Sequence, residues 1–288
     1  MTHCCLTIDL EDYKHATMRD MGIRPVINPD QAERGLDAVF ELLDRSNGDK
    51  NITLFTTGQI ARDQAALVRH TADLGNEIAC HSNLHENILE LNSESFHQNL
   101  CNAIGSLEDA TGEKVLGFRA PNFSINESCL WAFDILKTHG ILYDSSLVSP
   151  DSRVGKPFLY DVITTKTGSV YEFPLYSCKL FGLMDVRVIG GTYLRLLPAD
   201  VIINLMKKMQ DAGYLPMIYL HVADIDNHFT AVKWCEMKGL TGIKRVSWIL
   251  RQNQWSFGTA SALDKLEKIL KVFPNKGPMV SLVKGIVE

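Results

Sequence analysis

Four short segments of this 288-residue chain bring together side chains that can bind a metal, move protons or stabilise charge. His81-Ser-Asn-Leu-His85 follows the apolar run Glu77–Cys80 directly. Two imidazoles four residues apart, on the first turn of a helix or across a strand-to-helix turn, can aim ring nitrogens at one ion. Asp9-Leu-Glu11-Asp12-Tyr13 ends the first apolar run with three carboxylates, which repel one another unless a cation or a shared proton intervenes. Arg119-Ala-Pro121-Asn122-Phe123-Ser124 follows Val115–Phe118. Its Arg can hold a carboxylate ionised, and Pro121 sets a turn that aims the next backbone N–H, that of Asn122, at a developing oxyanion. His221 ends the run Pro216–Leu220 and precedes Asp224 and Asp226. Each segment alone has a plain structural reading as a cap, a solvated loop, a turn or a packed histidine. Together they suit a metal-assisted hydrolase.

What must position them is a set of short buried strands. Cys4–Ile8, Ile52–Phe55, Glu77–Cys80, Val115–Phe118, Ile141–Tyr143, Val170–Phe173 and Pro216–Leu220 are apolar and brief. Between them, residues 31–43, 59–74, 94–111, 130–137 and 199–212 repeat apolar positions at three and four, with Gly75, Gly112, Gly140 and Gly213 placed as C-terminal caps. This α/β alternation predicts a parallel sheet wrapped by helices, and the four motifs fall at strand C-terminal ends, where barrel enzymes keep their sites. Residues 222–258, with Trp234, Trp248 and Trp255, read as elaborated loops, and a helix over Ala262–Val272 followed by a turn at Pro274–Gly277 closes one domain spanning residues 1–288.

Composition narrows the function classes. A net charge of −5 with scattered Lys and Arg disfavours nucleic acid, and no apolar run of roughly 18 residues exists to span a bilayer. The seven cysteines lack paired zinc spacings and lie mostly among apolar residues, as reduced thiols do. With no signal-peptide pattern behind Met1, a cytoplasmic location is expected.

The motif set resembles the polysaccharide deacetylase (NodB-homology) family of carbohydrate esterases. His81-Ser-Asn-Leu-His85 resembles its paired-histidine motif, Arg119-Ala-Pro-Asn-Phe its Arg-x-Pro motif and Leu220-His221 its late Leu-His motif. Ile8-Asp-Leu-Glu-Asp-Tyr13, Tyr143-Asp-Ser-Ser146, Glu172-Phe-Pro174 and Gly190-Gly-Thr-Tyr-Leu-Arg-Leu-Leu-Pro198 resemble a branch tied to exopolysaccharide and surface-glycan loci. The resemblance implies a distorted seven-stranded (β/α) barrel, a divalent metal, usually zinc, and hydrolysis of N-acetyl groups on an amino sugar. It implies His81 and His85 as metal ligands, Asp9 as base held by Arg119, and His221 as acid, with His228 as its rival.

Two departures stand out. The family's adjacent aspartates are here Asp9, Leu10, Glu11 and Asp12, so the third ligand is Glu11 or Asp12, with strand alternation favouring Glu11. No Asp-Trp motif orients His221, which leaves Asp224, Asp226 or Asp185 for that task. Tyr193 and Tyr13 could stack on sugar faces. Two other readings stay open: a deformylating or cyclic-amide hydrolase on the same scaffold, and a glycan-binding protein without turnover.

Overall fold

The computed structural model describes residues 3–26, 29–149, 160–180, 184–228 and 230–287. The strands are β1 (Cys5–Leu10), β2 (Thr53–Thr56), β3 (Glu77–Cys80), β4 (Gly117–Phe118), β5 (Tyr143–Asp144), β6 (Val148–Ser149), β7 (Asp161–Thr165), β8 (Gly168–Glu172), β9 (Leu175–Leu180), β10 (Met184–Val188) and β11 (Met217–His221). The helices are α1 (Tyr13–Asp20), α2 (Pro29–Arg45), α3 (Gly58–Asp63), α4 (Ala65–Asp73), α5 (Ser93–Thr111), α6 (Trp131–Thr138), α7 (Gly191–Leu196), α8 (Ala199–Asp211), α9 (Gly242–Ser256), α10 (Ala262–Val272) and α11 (Met279–Val287).

Seven strands pair in parallel in the order β11-β1-β2-β3-β4-β5-β8, and β7 adds antiparallel to the β8 edge. These seven correspond to the seven apolar runs of the sequence. The small sheet β10-β9-β6 sits at the remaining gap, where Ile189, just past β10, bonds to Met217 and Tyr219 of β11. The result is a distorted (β/α) barrel. Because the seven strands run the same way, every loop that follows one emerges on a single rim.

Local chemistry accounts for the helices. α5 starts at Asn92, whose side chain accepts from the Ser95 N–H while Ser95 caps back, and stops at Gly112 in the left-handed region (φ 76°). Its Phe96, Leu100, Ala103 and Leu107 are buried at three- and four-residue spacing. One contiguous core runs from Cys4 to Val283.

The structure corrects several expectations. The single helix expected over residues 59–74 is two, α3 and α4, broken at Gln64 (φ −134°, ψ 43°); the apolar period continues across the break through Ile60, Val68 and Ala72. Residues 222–258 are not only loops, since they contain the fifteen-residue α9. α1 has no apolar stripe, burying only Thr17 and Met18, and α11 follows the expected closing turn. The first amides of α11 donate to Thr53 Oγ1 (2.8 Å) and Glu77 Oε2 (3.0 Å), so strand side chains fix where it docks.

Beneath the rim, Asp144 of β5 and Glu172 of β8 are register partners and wholly buried. Ser146 donates to Asp144 through its amide (3.0 Å) and hydroxyl (2.7 Å), and the Leu147 N–H donates to Glu172 (2.9 Å). Burial pushes both carboxyls up, and the neighbouring Asp144 charge raises Glu172 further, which favours a proton held by the pair. A folded-state pKa above the unfolded one gives stability that is complete below the unfolded value of about 4.3 and is lost as pH rises toward the folded one. Glu172→Gln carries its hydrogen permanently. Thermal melts from about pH 5 to about pH 9 are expected to show the variant gaining on the parent chain with each unit. A constant difference would mean that the pair holds no extra proton.

Candidate active site

The rim gathers all four motifs. β1 carries Asp9 next to its last residue, Leu10, and hands on to Glu11, β3 ends at Cys80 before His81, β4 ends before Arg119, and His221 closes β11 directly opposite Asp9 in register. A cleft of about 250 Å³ opens there, lined by Glu11, Tyr13, His85, Asn122, His221 and Trp255, with Arg19, Asp20, Thr192, Arg195 and Asp224 at its walls. Asp9, His81 and Arg119 lie just under it, each buried.

Arg119 is wholly buried and fully engaged. Nη1 donates to Asp9 Oδ1 (2.7 Å) and Thr7 Oγ1 (3.0 Å), Nη2 donates to Ser145 Oγ (3.2 Å), and the guanidinium stacks 3.9 Å over the Phe55 ring. Burial pushes Asp9 up, but the Arg119 charge, the neighbouring His81 and His221 rings and the Arg119 hydrogen bond outweigh it, so Asp9 stays below the usual carboxylate range.

His81 Nδ1 donates to the carbonyl of Arg119 (2.7 Å), because a carbonyl can only accept. That fixes the tautomer and leaves Nε2 with its lone pair free for a ligand. Burial holds the ring neutral, with a pKa pushed down to about 4. His85 packs edge-on to His81, centroids 5.1 Å apart, and its Nε2 is 3.2 Å from Glu11 Oε2. That buried oxygen makes no hydrogen bond. With Nε2 unprotonated the two atoms are facing acceptors, which a cation between them would satisfy. The paired histidines do not sit on a helix turn: the segment is a loop with Ser82 and His85 both at positive φ, and it is tied by the Glu86 N–H to Ser82 Oγ (3.1 Å) and the Leu84 N–H to Glu86 Oε2 (2.6 Å). Among the described residues, the non-glycine positions at positive φ are Ser82, His85, Asn122 and Phe123, all in the two rim motifs. Strain of this sort survives where the surroundings over-determine it, as they do at working sites.

The carboxylate pair divides its labour. Glu11 lies between His85 and His221, its Oε1 3.5 Å from His221 Nε2. Burial raises its pKa, yet the surrounding His85, His221 and His81 rings bring it below normal. Asp12 is instead the N-cap of α1, accepting from the His15 N–H (2.9 Å), a role with no need of a metal.

His221 is oriented by Asp224, which accepts from Nδ1 (3.1 Å) and from the His221 N–H (2.9 Å). Arg195 Nε holds the other Asp224 oxygen at 2.8 Å. Burial lowers His221, but the Asp224 hydrogen bond and charge, with Glu11 and Asp9, raise it to about 10, so the ring is a cation in the free protein. A Cβ on Gly191 would come 1.7 Å from Asp224 Oδ2, so only glycine leaves room for this carboxylate. Of the other candidates, Asp226 pairs with Arg34 (2.9 Å) and the side chain of Asp185 lies outside the described residues. His228 does not line the cleft. Tyr13 does, edge-on to Trp255 with centroids 5.6 Å apart. Tyr193 packs against the main core instead, and its helix neighbours Thr192 and Arg195 face the cleft. Sequence reasoning missed Arg195, Arg19 and Asp20; only the unexplained run Gly190–Pro198 pointed to the first.

Two imidazoles and a carboxylate suit a catalytic zinc, and the free Nε2 of His81 with the unpartnered Glu11 oxygen fits that donor set. Among the described residues, however, the three side chains whose donor atoms all lie within 4.8 Å are His97 and Cys101 of α5 with His139 at the end of α6. To hold an ion, the rim donors would have to draw closer together than they stand here. The second cluster holds a His139 Nε2–His97 Nδ1 contact of 3.0 Å, and none of its members lines the cleft.

Comparison with known proteins agrees with this geometry. Residues 30–141 match the polysaccharide deacetylase family, and residues 150–271 match a domain of unknown function, DUF3473. The peptidoglycan deacetylase-like protein FGM2 of Gibberella zeae is 29% identical over 156 residues, covering 53% of this chain and 45% of the relative. A bifunctional xylanase/deacetylase of Pseudobutyrivibrio xylanivorans is 26% identical over 119 residues, covering 40% and 19%. This chain thus spans less than half the length of either relative. A Mycobacterium smegmatis protein assigned to the polysaccharide deacetylases superposes with a TM-score of 0.61 at 17% identity, over 100% of this chain and 91% of that one. A family 4 carbohydrate esterase pseudoenzyme from Bacillus anthracis gives 0.51 at 14% identity, over 98% and 65%. These two likenesses concern the fold. The segment 30–141, which carries the paired histidines and Arg119, is thus the part of this chain that is similar to the polysaccharide deacetylase family.

Proposed function

We propose that this protein removes N-acetyl groups from an amino sugar, releasing acetate, with a divalent ion, most simply zinc, held by His81, His85 and Glu11. The observation that carries the reading is the meeting of the Asp9–Arg119 pair, the Glu11–His85 contact and the Asp224–His221 pair on one cleft. When bound, the ion polarises the amide carbonyl and acidifies a water molecule.

The protein's own groups supply the proton traffic. Asp9, kept ionised by Arg119, accepts the proton of the attacking water. The backbone N–H of Asn122, in a turn set by Pro121, faces the charge that builds on the carbonyl oxygen. An amine leaves only after protonation. His221, a cation oriented by Asp224 and with its side chain 37% exposed, donates to the departing nitrogen. The Tyr13–Trp255 corner offers an apolar wall for a sugar ring. A cytoplasmic role in exopolysaccharide or surface-glycan assembly, on a lipid-linked or nucleotide-linked sugar, belongs to the same reading.

A second reading, a glycan-binding protein without turnover, draws on the Asp9-Leu-Glu11 departure, and a pseudoenzyme shares this fold. Binding alone has no use for a buried base and an oriented acid. Acetate release across a panel of N-acetylated sugars, with and without chelator, separates the two; a panel with no turnover at any metal loading would favour the binding protein.

Three variants probe the roles. Glu11→Gln and His85→Ala are expected to lose bound metal by elemental analysis. Asp12→Ala should keep it and cost roughly 0.5–2 kcal/mol of stability through the lost cap. Metal loss in Asp12→Ala alone would reverse the assignment. Asp9→Asn should retain metal and lose nearly all turnover, read by the same two measurements.

His221→Ala should lower amide turnover by roughly 10²–10⁴ with metal content unchanged. An activated acyl ester, whose leaving group needs little protonation, should suffer much less. Equal losses on both substrates would remove His221 from the role of proton donor.

A further inference from the structure

α9 carries its apolar residues on the wrong side for a core helix. Trp248, Ile249 and Gln252 face inward, where Trp248 and Ile249 pack on a small cluster of Met18, Met21, Val232 and Met237. Ile243, Val246 and Leu250, at helical spacing of three and four, face out and are 86%, 50% and 65% exposed. Phe257, at the C-terminal end of the helix, is 68% exposed. Single exposed apolar residues are ordinary, but an outward stripe on one helix marks a surface that something covers.

The charge around the stripe identifies what covers it. Residues 233–257 hold Lys233, Lys238, Lys244, Arg245 and Arg251 against the single acid Glu236, in a chain whose net charge is −5. Glu236 is already paired with Lys14 at 2.7 Å. α9 itself contains no acidic residue. A symmetric pairing of two copies through this face would press two basic surfaces together. An apolar ridge flanked by Lys and Arg suits an anionic phospholipid surface, with the ridge among the acyl chains and the cations at the headgroups.

We propose that the outer face of α9 docks this protein on anionic membranes. The position of the helix gives the docking a purpose. Trp255 near its end lines the cleft, and the Phe257 carbonyl accepts from Arg195 Nη1 (2.9 Å), the residue that holds Asp224. A membrane under α9 therefore lies beside the cleft mouth. Resting on the deacetylase reading, the substrate class this favours is a lipid-linked amino sugar presented at headgroup height.

The test is flotation of the full chain with vesicles of phosphatidylcholine alone and with added phosphatidylglycerol, a measurement independent of turnover. Binding is expected only to the anionic vesicles, weakened by salt. An Ile243→Ser/Val246→Ser/Leu250→Ser variant, whose changes are all exposed, should lose on the order of tenfold or more of that binding. It should keep its circular dichroism and its hydrolysis of a soluble N-acetylated sugar. Lys244→Glu/Arg251→Glu should lose the anionic preference. Absence of binding by the parent chain, or unchanged binding by the triple variant, would overturn the proposal. So would a dimer, seen by light scattering, that the triple variant abolishes while vesicles go unbound. A chain that binds vesicles yet releases no acetate would instead retain the docking face and remove the deacetylase reading.

Discussion

The buried Arg119–Asp9 ion pair is the constraint from which the rim is built. Arg119 directly follows β4 and Asp9 lies in β1, the guanidinium also reaches Ser145 after β5, and Phe55 of β2 supplies the ring it stacks on. Two charges in a dry interior are tolerable only when every donor and lone pair is occupied, and leaving one partner alone costs roughly 3–5 kcal/mol. The pair thus enforces the relative position of four strand ends. The backbone carbonyl of Arg119 also holds His81, so one residue lowers the Asp9 carboxyl and sets the tautomer of the neighbouring imidazole.

A second relay works from the other side of the cleft. Arg195 on α7 grips Asp224, Asp224 orients His221, and Gly191 leaves the space in which the carboxylate lies. The run Gly190–Pro198 is therefore a support for His221, carried by a helix rather than by the strand that bears the histidine. The segment matching the polysaccharide deacetylase family contains His81, His85 and Arg119, while the supports of His221 lie in the region matching the domain of unknown function. The cleft needs both. Glu11 joins the histidine loop to the Arg195 relay, its two oxygens facing His85 and His221.

Lys14 pairs with Glu236, and Met18 and Met21 pack with Val232 and Met237, which couples the loop after β1 to the late segment that carries α9. This explains why an N-terminal helix with little apolar surface holds its place. Its contacts are few but reach far along the chain, and they serve to set Tyr13 and Arg19 at the cleft and to bring α9 alongside. Arg19 also donates to the Leu84 carbonyl, so the same helix braces the histidine loop.

The sequence alone determined the seven parallel strands, because each is a short apolar run bounded by caps and turns, and it determined which loops carry chemistry, because motifs directly after such runs must share one rim. Asp9, His81, Arg119 and His221 were legible for that reason. Tertiary structure decided what depends on partners far apart in the chain: Glu11 between two imidazoles while Asp12 caps α1, Asp224 rather than Asp226 behind His221, and Tyr193 in the core with Arg195 at the cleft. α9 escaped because its apolar residues are split between an inward side, Trp248 and Ile249, and an outward stripe, Ile243, Val246 and Leu250, and a pattern of apolar residues records spacing without recording which side the core lies on.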